Sequence, residues 1–119
     1  MVLNSTGFTF GNDGKNGDLK DGFIANNAGE ISFITNLTNV EHNIITIHAL
    51  KGYDGIANIE ASCNLGCKCF NKTFNGLHKS ETTEIVPYRL AFNQSDLMCI
   101  LTIKLVSEGK QRITAISFE

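Results

Sequence analysis

Tryptophan is absent, proline occurs once, at Pro87, and tyrosine only twice, at Tyr53 and Tyr88. The first absence removes the indole that packs on the inter-sheet disulfide of antibody-type domains. So few broad aromatic rings also leave a sugar-stacking platform thinly supplied. Long apolar runs are missing too, and none approaches the ~20 residues that a bilayer-spanning helix needs. There is no basic excess: a formal charge of −2 and a pI near 5.9 leave no electrostatic footprint for nucleic acid or an anionic membrane. The opening Met1-Val2-Leu3-Asn4-Ser5-Thr6 lacks the basic start and apolar centre of a secretory leader. No G-x-S-x-G, H-E-x-x-H or Gly-rich phosphate loop occurs, and the carboxylates are scattered over turns with no two on one expected face. These absences point away from an enzyme, and no cofactor is expected.

Helical periodicity is missing as well, since no window of about eleven residues keeps a 3.6 period. What remains is alternation. Phe8-Thr9-Phe10, Phe23-Ile24, Ile31 to Thr35 and Asn43 to Ala49 read as strands rich in β-branched and aromatic residues. Ala57, Ile59, Ala61 and Cys63 then alternate with Asn58, Glu60 and Ser62, and Val86, Tyr88, Leu90 and Phe92 share a face of the next run. Pro87 cannot donate to a ladder, so that run belongs at a sheet edge or at a bulge. Leu97, Cys99, Leu101, Ile103 and Leu105 share a face. Glu108-Gly109 is expected to turn that strand into a terminal hairpin, with Ile113, Ala115 and Ser117 opposite in phase to Thr114, Ile116 and Phe118. Seven or more short alternating strands in one 119-residue domain predict an all-β, immunoglobulin-like antiparallel β-sandwich of about seven to nine strands. Its expected core is Phe33, Ile45, Ile47, Ile59, Val86, Leu90, Leu101, Ile103 and Ile116.

The four cysteines are the densest feature: Cys63, Cys67 and Cys69 crowd one irregular segment and Cys99 lies in the most apolar strand. Cys67 and Cys69, two apart, point the same way in an extended strand, whereas Asn64-Leu65-Gly66 can turn tightly enough to join Cys63 to Cys67. The preferred pairing, of three possible, is therefore Cys63–Cys67 with Cys69–Cys99. Zinc held by four thiolates, or by three and His78, and free thiols are the alternatives. Zinc is disfavoured because structural sites present two C-x₂₋₄-C knuckles and only one is present here.

The remaining polar groups read as surface chemistry. Gly11 to Gly17 is a turn cluster, and the oxygens of Asp13, Asn16, Asp18 and Asp21 do not follow the spacing of a calcium-binding loop. His42, His48 and His78 lack a free, exposed thiol with which to form a nucleophilic pair. N-x-Ser/Thr sequons at Asn4, Asn36, Asn71 and Asn93 are candidate glycosylation sites. Taken with the cysteines, they suggest a domain excised from a larger ectodomain, on the extracellular face of the plasma membrane, with Met1 an expression start.

The order of these elements also carries a resemblance. Gly29 to Asn36 and Asn43 to His48 look like a strand pair. They are followed by the cysteine cluster, by Ser80 to Val86 leading into Tyr88-Arg89-Leu90-Ala91-Phe92, and by the strand with Cys99. From Gly17 to Glu119 this order is similar to the third, membrane-proximal, immunoglobulin-like domain (domain III) of the hapless-type gamete fusogens, class II membrane-fusion proteins. The resemblance implies a non-enzymatic module that folds back on a trimer core during cell–cell fusion. Its partners would be the other domains of the same fusogen and antibodies, and it would meet a membrane only through neighbouring segments. A generic cell-surface adhesion or carbohydrate-binding sandwich is the alternative, because a sandwich does not fix function.

Overall fold

The computed structural model describes residues 2–12, 21–38, 40 and 42–119. The regular structure of these residues is all strand: β1 Val2–Thr6, β2 Thr9–Asn12, β3 Asp21–Asn26, β4 Glu30–Asn36, β5 Ile44–Lys51, β6 Ile59–Asn64, β7 Cys67–Lys68, β8 Lys72–Phe74, β9 Glu84–Ala91, β10 Asn93–Gln94, β11 Met98–Leu105 and β12 Lys110–Phe118. Two antiparallel five-stranded sheets face each other, one in the order β1-β4-β11-β6-β8 and the other β2-β3-β12-β5-β9. A two-stranded ribbon, β7 with β10, is in the ladder of neither. The protein is thus an all-β antiparallel sandwich stapled by disulfides, as its alternation predicts.

The winding follows from which sheet each strand joins. From β3 to β6 the chain changes sheet at every step, and it does so again from β8 to β9, β9 to β11 and β11 to β12. That is the two-sheet Greek-key winding of a jelly roll. Two local expectations are corrected by it. β11 and β12 do not form a hairpin. They lie in opposite sheets, and the connection crosses at Gly109, whose φ of 128° suits a residue without Cβ. There Asn27 receives the Gly109 N–H on its Oδ1 at 2.9 Å and donates its own N–H to the Gly109 carbonyl at 2.7 Å. Likewise β4 and β5 are not a pair, since they stand in different sheets. Pro87 lies on β9, the edge strand next to β5, where its missing donor interrupts no central ladder.

The core is the layer between the sheets. Ile45, Ile47, Ile59, Leu90, Leu101 and Ile103 are buried, together with Ile31, Ile113 and Cys99. Phe33, Val86 and Ile116 are only partly buried and pack against this cluster from its margin. Leu97 departs from its expected phase and is exposed, because β11 begins one residue later, at Met98. On β12 the pairing with β5 steps from Ile113↔Ala49 to Ala115↔His48 and skips Thr114. That bulge resets the alternation, so Ile113 is followed inward by Ile116 and Phe118 and not by Ala115 and Ser117.

Candidate functional site

All four cysteines are paired, but in a different connectivity from the expected one: Cys63 joins Cys69 and Cys67 joins Cys99, with Cα–Cα distances of 5.4 and 5.2 Å. The reason is local. Leu65 and Gly66 take φ of 46° and 87°, and this left-handed turn points Cys67 into the sandwich, 3% exposed, beside the fully buried Cys99. β7 ends at Lys68, so Cys69 is not held in an extended strand with Cys67 and is free to reach back to Cys63. Glycine is required at position 66 by its φ of 87° and by the space around it. A Cβ there would collide with the Met98 carbonyl, and its own carbonyl accepts the N–H groups of Ser95 and Asp96, both at 3.0 Å. With every sulfur in a disulfide, the thiolates of the zinc alternative are not formed.

This bracing builds one end of the molecule. Between the 63–70 and 91–93 segments lies a groove of about 430 Å³ lined by Cys63, Lys68, Cys69, Phe70, Ala91, Phe92 and Asn93. The Phe70 ring is 96% exposed. Burying such a ring is normally favourable by a few kcal/mol, which makes Phe70, at the wall of this groove, a candidate contact residue. Lys68 and Asn93 face each other in the β7–β10 ribbon and put an ammonium and an amide at the groove wall. Below them Phe92, 3% exposed, meets Phe118 edge to face at 5.8 Å and fixes the floor. A second cleft, about 210 Å³, lies among Phe23, Phe33, Ile113 and Phe118 at the sandwich margin. It is lined mainly by the apolar edge of the core, with Thr35 and Thr114, and no charged group lines it among the described residues.

The other expected residues fall elsewhere. Asn4, Asn36, Asn71 and Asn93 are all exposed, and of them only Asn93 lines the groove. The Asn36 side chain accepts the Thr38 N–H at 2.8 Å, an Asx turn across its sequon. His78 accepts the Ser80 N–H on Nδ1 at 3.1 Å, and its Nε2 is 3.8 Å from Glu84. His48 stands opposite Pro87 on the β5–β9 ladder, and His42 is exposed outside the strands. None of the three lines the groove. Asp13, Asn16 and Asp18 lie outside the described residues, as does the Asp21 side chain. Phe70 was missed by the alternation argument, which reads only strands. Its signal was position: an aromatic outside any alternating run, directly after the last clustered cysteine.

No family model matches the chain, and no curated protein matches it. Solved structures do. The C-terminal CBM6 of LamC, a marine laminarinase from Zobellia galactanivorans, superposes with a TM-score of 0.62 at 14% identity over 97% of this chain and 90% of that one. The carbohydrate-binding module CBM6cm-2 of Cellvibrio mixtus lichenase 5A, solved with cellotriose, gives 0.58 at 11% identity over 97% and 88%. The isomalto-dextranase of Arthrobacter globiformis T6, complexed with panose, gives 0.61 at 11% identity, covering 93% of this chain but 20% of that one. At these identities the likeness is one of fold. What this protein shares with them is an antiparallel β-sandwich.

Proposed function

We propose that this protein is a non-catalytic carbohydrate-binding module whose ligand, an oligosaccharide, lies in the groove beside Phe70. The observation that carries the reading is the 96% exposed Phe70 ring, held at the wall of a groove braced by two disulfides. A pyranose presents an apolar face of C–H groups to a ring and hydroxyls to its sides. Phe70 matches the first, and the Asn93 amide and Lys68 ammonium match the second. That two modules of this fold belong to glucan-degrading enzymes, one of them solved with cellotriose, supports testing β-glucan fragments first. Calorimetric titration with gluco-oligosaccharides is expected to give saturable binding. Phe70→Ala should weaken it about tenfold or more, the loss of one ring hot spot. Binding that is equal in both proteins places the ligand elsewhere, and no binding across a broad glycan panel removes the reading.

A second reading is favoured by one feature, the exposed apolar side chains at this same end: Leu65, Phe70, Leu97 and Met98. They suit docking onto another protein, as in a domain of a class II gamete fusogen that folds back on a trimer core. The soluble domain in excess, and antibodies to this end, should then block gamete or cell–cell fusion. Fusion that proceeds unchanged under both treatments sets this reading aside.

A further inference from the structure

The sulfurs of Cys63, Cys67 and Cys99 lie within 4.8 Å of one another, although Cys63 is bonded to none of the other two. Cys69 stands outside this triangle. The outer bond, Cys63–Cys69, is half-buried and both its cysteines line the open groove, whereas Cys67 and Cys99 are 3% and 0% exposed. An accessible disulfide thus ends on a sulfur within 4.8 Å of a buried one. We propose that this cluster is a thiol–disulfide exchange site, in which reduction of Cys63–Cys69 by a dithiol is relayed through Cys63 onto the Cys67–Cys99 bond.

One thiolate of the dithiol attacks the Cys63–Cys69 bond, and its second thiol resolves the mixed disulfide. The reductant leaves as its own disulfide, and Cys63 and Cys69 are left as thiols. The Cys63 thiolate then attacks Sγ of Cys67, forms Cys63–Cys67 and expels the Cys99 thiolate, which takes up a proton from water. The second step transfers no net electrons, so one two-electron reduction moves the surviving bond within the cluster. Nothing large has to move, because Cys63 and Cys67 flank the turn at Leu65 and Gly66. What changes is the anchorage. Cys69, and Phe70 after it, are released, and the 63–70 segment loses its covalent tie to β11. The relay would therefore switch the groove off. That consequence alone rests on the carbohydrate-binding reading, while the exchange itself does not.

The test is peptide mapping of the folded protein. The oxidised protein is treated with one equivalent of dithiothreitol, and free thiols are alkylated at short intervals and located by mass spectrometry. Expected is loss of the Cys63–Cys69 link, followed by appearance of a link from Cys63 to Cys67, with alkylated Cys69 and Cys99. The rearrangement should quicken as pH rises toward the ordinary thiol range, because the thiolate is the attacking species. Cys69→Ser supplies a second measurement that needs no reductant: its free Cys63 should yield a mixture of Cys67–Cys99 and Cys63-containing links. If Cys63 and Cys69 are alkylated together while Cys67–Cys99 stays intact, and Cys69→Ser holds a single Cys67–Cys99 link, the relay is wrong. Saccharide titration of the same reduced samples reports separately on the groove.

Discussion

Gln111 and Leu50 are joined by two hydrogen bonds across β12 and β5: the Leu50 N–H donates to Gln111 Oε1 at 2.8 Å, and Gln111 Nε2 donates to the Leu50 carbonyl at 3.1 Å. The same Nε2 reaches the Ala57 carbonyl at 3.0 Å, and Oε1 also accepts the Arg112 N–H. This amide is 0% exposed and satisfied at both ends, so it ties β5, β12 and the 56–57 segment together inside the sandwich. Gln111→Leu keeps the volume but orphans the Leu50 donor and the Ala57 acceptor. Each orphaned group costs about 1–3 kcal/mol, and chemical denaturation should show a loss of about 2–5 kcal/mol. A loss below about half a kcal/mol would mean that water or a neighbour replaces the amide.

Tyr88 completes this network by donating its hydroxyl to the same Leu50 carbonyl at 2.8 Å. Burial pushes its pKa up from 10.0 to about 12. Below pH 10 the phenol is neutral in both folded and unfolded chains. Between pH 10 and 12 the unfolded chain ionises first, so the stability present below pH 10 is lost as pH rises through that window. Denaturation midpoints measured across it should fall in the wild type and fall less in Tyr88→Phe. Parallel curves would show that another group governs the alkaline transition.

Strand phase was legible in the sequence because alternation is a direct consequence of the pleat. Ile45, Ile47, Leu101 and Ile103 are all 0% exposed for that reason. Which sheet a strand joins leaves no such trace. The run through Glu108-Gly109 reads equally well as a hairpin or as a crossing, and the contacts of Gly109 with Asn27 and of Lys110 with Gly55 and Ala57 decide it. The same limit applies to the disulfides. Cys67 and Cys69 do not pair with each other, as their spacing requires, but Cys63 does not close on Cys67 across Asn64-Leu65-Gly66, because the left-handed Leu65 and Gly66 turn Cys67 inward to Cys99. The Thr114 bulge hid the phase change on β12 in the same way. The Phe70 groove was illegible because it is made by loops that the disulfides bring together.

Leu101 and Ile103 lie at the centre of the sheet that carries β4, β11 and β6, facing the opposite layer with no exposure. Truncating either to Ala removes buried methylenes and leaves a void that a rigid β-sandwich closes only in part. The expected loss is about 2–5 kcal/mol for each, read by urea or thermal unfolding. Val106→Ala is the control. Val106 is 43% exposed just beyond β11, and its truncation should change stability by less than about half a kcal/mol. Equal effects at all three positions would contradict the assigned inward face.

The two disulfides are unequal staples, and the difference is measurable. Cys67–Cys99 spans a sequence separation of 32 and ties the ribbon segment to the core strand β11, while Cys63–Cys69 spans 6. On the chain-entropy account, removing the longer link costs about 4 kcal/mol and the shorter about 2 kcal/mol, through the freedom returned to the unfolded chain. Packing widens the gap. Both sulfurs of the longer bond are buried, so the double substitution Cys67→Ala with Cys99→Ala also opens a void, whereas the Cys63–Cys69 bond lies at the groove rim. The prediction is that Cys67→Ala/Cys99→Ala lowers the unfolding free energy by at least about 2 kcal/mol more than Cys63→Ala/Cys69→Ala does. The second pair should instead weaken whatever the groove binds, because it unties the segment that presents Phe70. Were the two double variants to lose the same stability, the outer bond would be as much a part of the core as the inner one.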